Sequence, residues 1–134
     1  MVTTQTATRR VSTESLRDWV DCLFAVIDSK DAAAFADYFV GHGHFVYGSA
    51  GPIRGRQAIG DFAASFFDML ESLHHTVFDV WMVSDRIFVE LEVTYVLRDG
   101  RVYTLPEFDL LKMEGQRVRS YLVYIDPTPM LGEF

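Results

Sequence analysis

The sequence predicts an α+β domain in which helices come first and an antiparallel meander follows. Two observations predict it. The apolar periodicity changes once along the chain, from helical spacing up to residue 70 to strand-like alternation from residue 73 onward. In the second half, three short breaks, Ser84-Asp85, Asp99-Gly100 and Glu114-Gly115, each stand between β-rich runs and read as hairpin turns. A third observation bounds the result. A chain of 134 residues with 49% hydrophobic and 14% aromatic content is enough for one domain with a sizeable core and too short for two.

The elements follow in order. The opening stretch MVTTQTATRR has no apolar signal core and reads as a flexible, solvated tail over residues 1–12, leaving a single domain at 13–134. Leu16, Val20, Leu23, Phe24 and Ile27 recur at helical spacing behind a cap at Ser12 or Thr13. A second, short helix behind Ser29-Lys30-Asp31 carries Phe35 and Phe39, and packs on the first as a hairpin. The glycine-rich GHGHFVYGSAGPIRG reads as a loop around one short strand at Phe45 to Tyr47. A third helix aligns Ile59, Phe62, Ala63, Phe66 and Leu70, and a four-stranded meander spans residues 73 to 126. No internal repeat or low-complexity segment interrupts this plan.

If each turn is a two-residue loop, the register of the meander follows. Val80 then faces Val89, Thr76 faces Val93 and His74 faces Tyr95; Leu91 faces Phe108, and Phe108 faces Tyr121. One face becomes apolar and turns toward the helices. The other collects Asp79, Glu90, Glu92, Glu107 and Asp109 together with Trp81, Phe88, Leu122 and Tyr124. Adjacent residues of a strand point to opposite sides, so His74 points inward and His75 outward, unless a β-bulge exchanges them.

A net charge of −7 argues against nucleic-acid and anionic-membrane surfaces, which need clustered Lys and Arg. Cys22 is the single cysteine, which removes any intrachain disulfide and reads as a small core residue in a reducing compartment. No apolar run approaches the ~20 residues that span a bilayer. A soluble cytoplasmic protein is the expectation, with a homodimer formed through the aromatic outer face of the sheet, because Trp81, Phe88, Leu122 and Tyr124 make a large apolar group to leave exposed.

Three stretches carry a resemblance to a known family. GPIRGRQAIGDFAASFF, VTYVLRDGRVYTLP and the terminal YLVYIDPTPM, set behind N-terminal helices, resemble the nuclear-transport-factor-2-like superfamily and, within it, the SnoaL-like group. The resemblance runs from about Leu16 to Met130 and implies a cone, a strongly curved sheet wrapped around the helices with an apolar pocket open at one end. It also implies a choice among isomerases, cyclases, dehydratases, epoxide hydrolases and non-enzymatic binding proteins. Ketosteroid isomerase needs a tyrosine, an aspartate base and a protonated aspartic acid at places that spacing assigns here to Leu23, Tyr47 and Phe108. The Arg-x-Asp pair and the further aspartate that limonene epoxide hydrolase needs would fall on Glu92, Thr94 and about Val123. Neither set survives. Asp126 in YIDP reads as a strand-end residue that binds backbone donors.

The remaining inward polar residues suggest acid–base chemistry without a cofactor or metal, on a hydrophobic, oxygen-bearing small molecule. His74, Tyr95 and Tyr47 are the candidate catalytic residues, because imidazole titrates near neutral pH and a phenol can donate to a developing oxyanion. Trp19, His44, His75, Leu91, Val93, Phe108, Tyr121 and Val123 are the candidate substrate contacts. Two alternatives share the fold: a small-molecule-binding or partner-subunit protein without turnover, and a metal-dependent enzyme on the carboxylate face.

Overall fold

The computed structural model describes residues 13–132, so the tail expected at 1–12 and the Ser12 cap lie outside the described residues. Among the described residues, four helices and six strands follow in order: α1 (Thr13–Asp28), α2 (Ala32–Asp37), β1 (Phe39–Tyr47), β2 (Ile53–Arg54), α3 (Arg56–Asp68), β3 (Leu70–Val83), β4 (Arg86–Leu97), β5 (Val102–Glu114), β6 (Arg117–Ile125) and α4 (Thr128–Leu131). The strands form one curved sheet in the order β2-β1-β6-β5-β4-β3. Every pairing is antiparallel except β1 with β6, which is parallel, so the sheet is mixed rather than purely antiparallel.

The helices form where the periodicity puts them. Leu16, Val20, Leu23, Phe24 and Ile27 of α1 are all buried, a stripe of about one side chain per turn facing the sheet. Cys22 falls off that stripe and is exposed, against the expectation of a core residue. Asp31 caps α2, its carboxylate accepting from Ala34 N at 3.0 Å. Phe39 opens β1 instead of extending α2, and stays buried against Phe35 with ring centroids 5.3 Å apart. Leu70 likewise opens β3 instead of ending α3. The GHGHFVY stretch is strand throughout. Asp126 accepts from Thr128 N at 3.1 Å and turns the chain into α4, the strand-end role its place suggested.

Three odd residues decide which side chains face the helices. The turn at Ser84-Asp85 is a two-residue loop, and Val80 faces Val89 as expected. One residue further on, Phe78 is extra: Asp79 pairs with Glu90 and Val77 with Leu91, so a bulge reverses the parity of the rest of β3. His75 therefore faces Val93 on the inner side, and His74 faces Thr94 on the outer. Arg17 from α1 donates to the Val77 carbonyl at 2.9 Å beside the bulge. The second odd residue lies between β4 and β5, where Arg98, Asp99 and Gly100 form a three-residue loop with Gly100 at φ 92°. Leu91 then faces Glu107 rather than Phe108. The third is a bulge at Arg119, between the pairs Met113–Val118 and Lys112–Ser120. It restores parity, and Tyr121 and Val123 face inward as expected while Phe108 does not.

These shifts correct the outer face as well. Glu107 and Asp109, expected in water, are 6% and 0% exposed, whereas Phe108 between them is 39% exposed. No helix among the described residues is long and apolar enough to cross a membrane. Removing the odd residue should undo the arrangement: deletion of Phe78 turns Leu73, His75 and Val77 outward together. Chemical denaturation should register a loss of several kcal/mol or no cooperative transition at all, and a parent-like midpoint would show that the bulge does not set the register.

Candidate active site

The inner face of the sheet and the helices enclose a cavity of about 50 Å³, lined by Ile27, Phe35, Phe45, Phe62, Phe66, Leu73 and others, with four polar side chains in its wall: His75, Tyr47, Tyr95 and Tyr121. Space of that size admits about three to five waters at ~10–15 Å³ each. The aromatic wall is interlocked. Phe45 meets Tyr121 edge-on with centroids 5.4 Å apart, and Phe66 meets Tyr95 at 5.7 Å.

His75 is held by α1. Asp28, the last residue of that helix, accepts from the His75 backbone N at 3.0 Å with one carboxylate oxygen and lies 2.6 Å from Nδ1 with the other. A carboxylate is an acceptor, so this contact puts a proton on Nδ1 and leaves the Nε2 lone pair available. Phe24 lies against the ring at 4.8 Å between centroids. The His75 side chain is 6% exposed, that of His74 75%.

Behind the wall lies a second polar group. Tyr121 donates its hydroxyl to Asp109 at 2.6 Å, and Glu107 comes within 3.7 Å of His75 Nε2. Burial pushes the Glu107 carboxyl well above the usual range, and the neighbouring Asp109 pushes it further. Burial also raises Asp109, opposed by hydrogen bonds from Glu107 and Tyr121 that favour its ionised form. Two neighbouring buried carboxyls disfavour carrying two charges at once, and Glu107 is the more strongly raised of the pair. On the far side of the cavity, the Tyr47 and Tyr95 hydroxyls lie 2.9 Å apart. Burial raises both phenols and also Tyr121, so all three stay protonated.

Of the residues expected at the site, Tyr47, Tyr95, Tyr121, Val123 and His75 line the cavity. Leu91 and Val93 face inward but pack in the core beside it. His74 and Phe108 point outward through the register shifts, and His44 turns to the outer face, where its Nε2 is 3.3 Å from the Ser120 hydroxyl. Trp19 stays on α1, edge-on to Tyr38 at 5.6 Å, and does not reach the cavity. Asp28 carries no expectation from the sequence, and Glu107 and Asp109 are expected on the outer face rather than here. A readable signal existed for Asp28: an acid in the last turn of a helix opposes the dipole and invites another explanation. No group of three or more His, Cys, Asp or Glu among the described residues is placed to hold a metal ion, the outward acids Asp79, Glu90 and Glu92 included.

A protonated buried glutamic acid has a consequence for stability. Its raised value means that the folded state holds a proton the unfolded chain releases above the ordinary glutamate value of 4.5. The stabilising difference is full below that pH and lost as pH rises through the raised value. Glu107→Gln, which keeps a donor to Asp109, should therefore raise Tm at pH 8 by more than at pH 5; an equal shift at both would mean that Glu107 is ionised in the fold.

Comparison with known proteins agrees with this architecture. The model of the SnoaL-like domain family matches residues 17–121. No curated protein matches the sequence. Among solved structures, a protein from Catenulispora acidiphila with a ketosteroid isomerase-like fold, in complex with trimethylamine, is 20% identical with a TM-score of 0.74 over 79% of this chain and 83% of that one. An NTF2-like protein of unknown function from Burkholderia pseudomallei is 13% identical, TM-score 0.77, over 86% and 93%. TerC, co-crystallized with polyporic acid, is 16% identical, TM-score 0.72, over 84% and 92%. At these identities the likeness is one of fold. The family match covers most of the sequence, and the chain belongs to the SnoaL-like domain family.

Proposed function

We propose that the cavity is the active site of a cofactor-independent acid–base enzyme, in which His75 takes a proton from carbon next to a substrate carbonyl and the Tyr47–Tyr95 pair donates a hydrogen bond to the oxygen. The observation that carries this reading is the partly buried Asp28–His75 contact of 2.6 Å with the imidazole in the cavity wall. Asp28 fixes the ring and favours the charge that forms when Nε2 accepts a proton. Only one of two hydrogen-bonded phenols donates to the other, so one hydroxyl proton of the Tyr47–Tyr95 pair is left for a ligand oxygen. His75 and Tyr95 are diagonal neighbours across β3 and β4, about 7 to 8 Å apart. That separation fits a carbonyl and its adjacent carbon between them. The proton on Nε2 can return to another atom of the same substrate, which makes the chemistry common to isomerisation, aldol-type cyclisation and dehydration.

The apolar wall selects an apolar ligand with an oxygen at one end. A ligand larger than a few atoms needs more than about 50 Å³, and the partly exposed Phe62 and Phe66 rings of α3, stacked at 6.0 Å, are the movable side of the cavity. Polyporic acid, found with TerC, is a rational probe of such a site. Phe66→Ala should tighten its binding, read by calorimetry.

Solvent deuterium exchange into a panel of small cyclic enones and β-diketones, followed by NMR, tests the chemistry without a known substrate. The parent should accelerate exchange, and His75→Ala should reduce it by about 10² to 10⁴. Asp28→Asn should reduce it while leaving His75 in place, and His74→Ala should leave it unchanged. Binding without exchange would favour a carrier with the same fold, and full exchange by His75→Ala would move the base elsewhere.

A further inference from the structure

The chemistry proposed for the cavity assigns no part to Glu107 and Asp109, although both are buried on its side of the sheet. Val77, Leu91 and Glu107 form one inner row across β3, β4 and β5, and His75, Val93 and Leu105 form the next. His75 and Glu107 therefore meet diagonally over β4, Nε2 and Oε1 lying 3.7 Å apart with the two side chains 6% and 2% exposed. Asp109 stands one row beyond Glu107, opposite Val89, and is fully buried.

A buried carboxylate is costly unless a cation or hydrogen bonds meet it. Among the described residues, no lysine or arginine forms an ion pair with either acid, and the basic group that comes within reach is His75. Asp109 is nevertheless held toward its ionised form by hydrogen bonds from Glu107 and from the Tyr121 hydroxyl, the latter at 2.6 Å. Positive charge on His75 pulls in the same direction. Coupling of this kind is reciprocal, so an ionised Asp109 favours the charged imidazole by the same factor. The other groups around the ring are Asp28 from α1, with the exposed His74 3.6 Å from it, and the phenols of Tyr95 and Tyr121, which burial keeps neutral.

We infer that the Asp109 carboxylate, reached through the Glu107 carboxyl, is the buried counter-charge of the imidazolium that forms when His75 takes the substrate's proton. The inference rests on the reading of His75 as the base. In that step the carbon–hydrogen bond breaks, its electron pair stays on the substrate as an enolate, and the proton goes to Nε2. Asp28 then holds the imidazolium at Nδ1, and the acid pair faces it at Nε2. The 3.7 Å to Glu107 Oε1 exceeds the ~3.2 Å limit of a good hydrogen bond, so the substrate has first access to the lone pair and Glu107 closes on the nitrogen only once it carries a proton. Neither acid touches the substrate; both are positioning residues. Tyr121 gains a role as well, because its hydroxyl is what fixes Asp109.

Nuclear magnetic resonance of the ligand-free full chain tests this without a substrate, with circular dichroism melting to confirm that each variant folds. Ring nitrogen shifts, assigned by loss of the signal in His75→Gln, read the ratio of imidazolium to imidazole at about pH 6.5. Asp109→Asn should lower that ratio about tenfold or more, and Glu107→Gln, which leaves the charge on Asp109, should keep it within about twofold. The reciprocal measurement needs no change at Asp109: its carboxyl carbon signal should stay that of the ionised form to lower pH in the parent than in His75→Gln. In the exchange assay Asp109→Asn should be slower by about tenfold or more. An unchanged ratio in folded Asp109→Asn overturns the inference, as does a Glu107→Gln ratio that falls as far, an Asp109 titration alike in parent and His75→Gln, or parent-like exchange by Asp109→Asn. A parent that exchanges no substrate would end the reading of the cavity as an active site and leave the charge coupling to be decided by the spectra alone.

Discussion

Whether a strand residue faces the helices or the solvent depends on a count, and between Ser72 and Ile125 the count is odd in three places. Phe78 in β3, the third loop residue before Gly100's exit, and Arg119 in β6 each reverse the alternation of everything beyond them. The first brings His75 to the cavity. The second brings in Glu107 and Asp109, and the third returns β6 to the side on which Tyr121 can meet Asp109. Each reversal is anchored by contacts that an ordinary ladder would not need, such as Arg17 on the Val77 carbonyl. The polar cluster in this otherwise apolar interior exists because of these interruptions.

That cluster is expensive to bury. One oxygen each of Glu107 and Asp109 is buried without a hydrogen bond among the described residues, and an unsatisfied buried acceptor costs on the order of 1–3 kcal/mol. An all-apolar core in the same space would be more stable. A fold that retains two carboxyls, an imidazole and three phenols around 50 Å³ of space has concentrated its unfavourable groups where reactivity would use them. The low polarity that makes them costly also strengthens each hydrogen bond they give to a ligand.

Most of the architecture was legible from periodicity: the buried stripe of α1, the third helix and the meander all appear where apolar spacing puts them. Family resemblance supplied the curvature and the pocket, and Tyr47, Tyr95, Tyr121 and Val123, read as inward, do line the cavity. Register was the weak point. An Asp-Gly pair reads equally as a two-residue turn or as the end of a three-residue one, and nothing local to Phe78 announces a bulge, so His74, Phe108 and the two acids were assigned to the wrong sides. The errors on either side of β5 cancelled at β6, which is why the last strand was read correctly. His44 was misplaced for a different cause: its GHGH setting looked like loop, and strand parity was never applied to it.

The parallel pairing of β1 with β6 fixes when the cavity can close. Phe45 and Tyr47 of β1 sit beside Tyr121 and Val123 of β6, more than seventy residues later in the chain. The strands from β3 to β6 are joined by local hairpins, which form quickly, whereas this one contact waits for the last strand of the sheet. During synthesis Tyr47 on β1 waits for its β6 neighbour until residues 117–125 have left the ribosome. The cavity is thus the last part of the sheet to close, and a chain cut before β6 carries His75 and Asp28 without the Tyr121 and Val123 side of the wall.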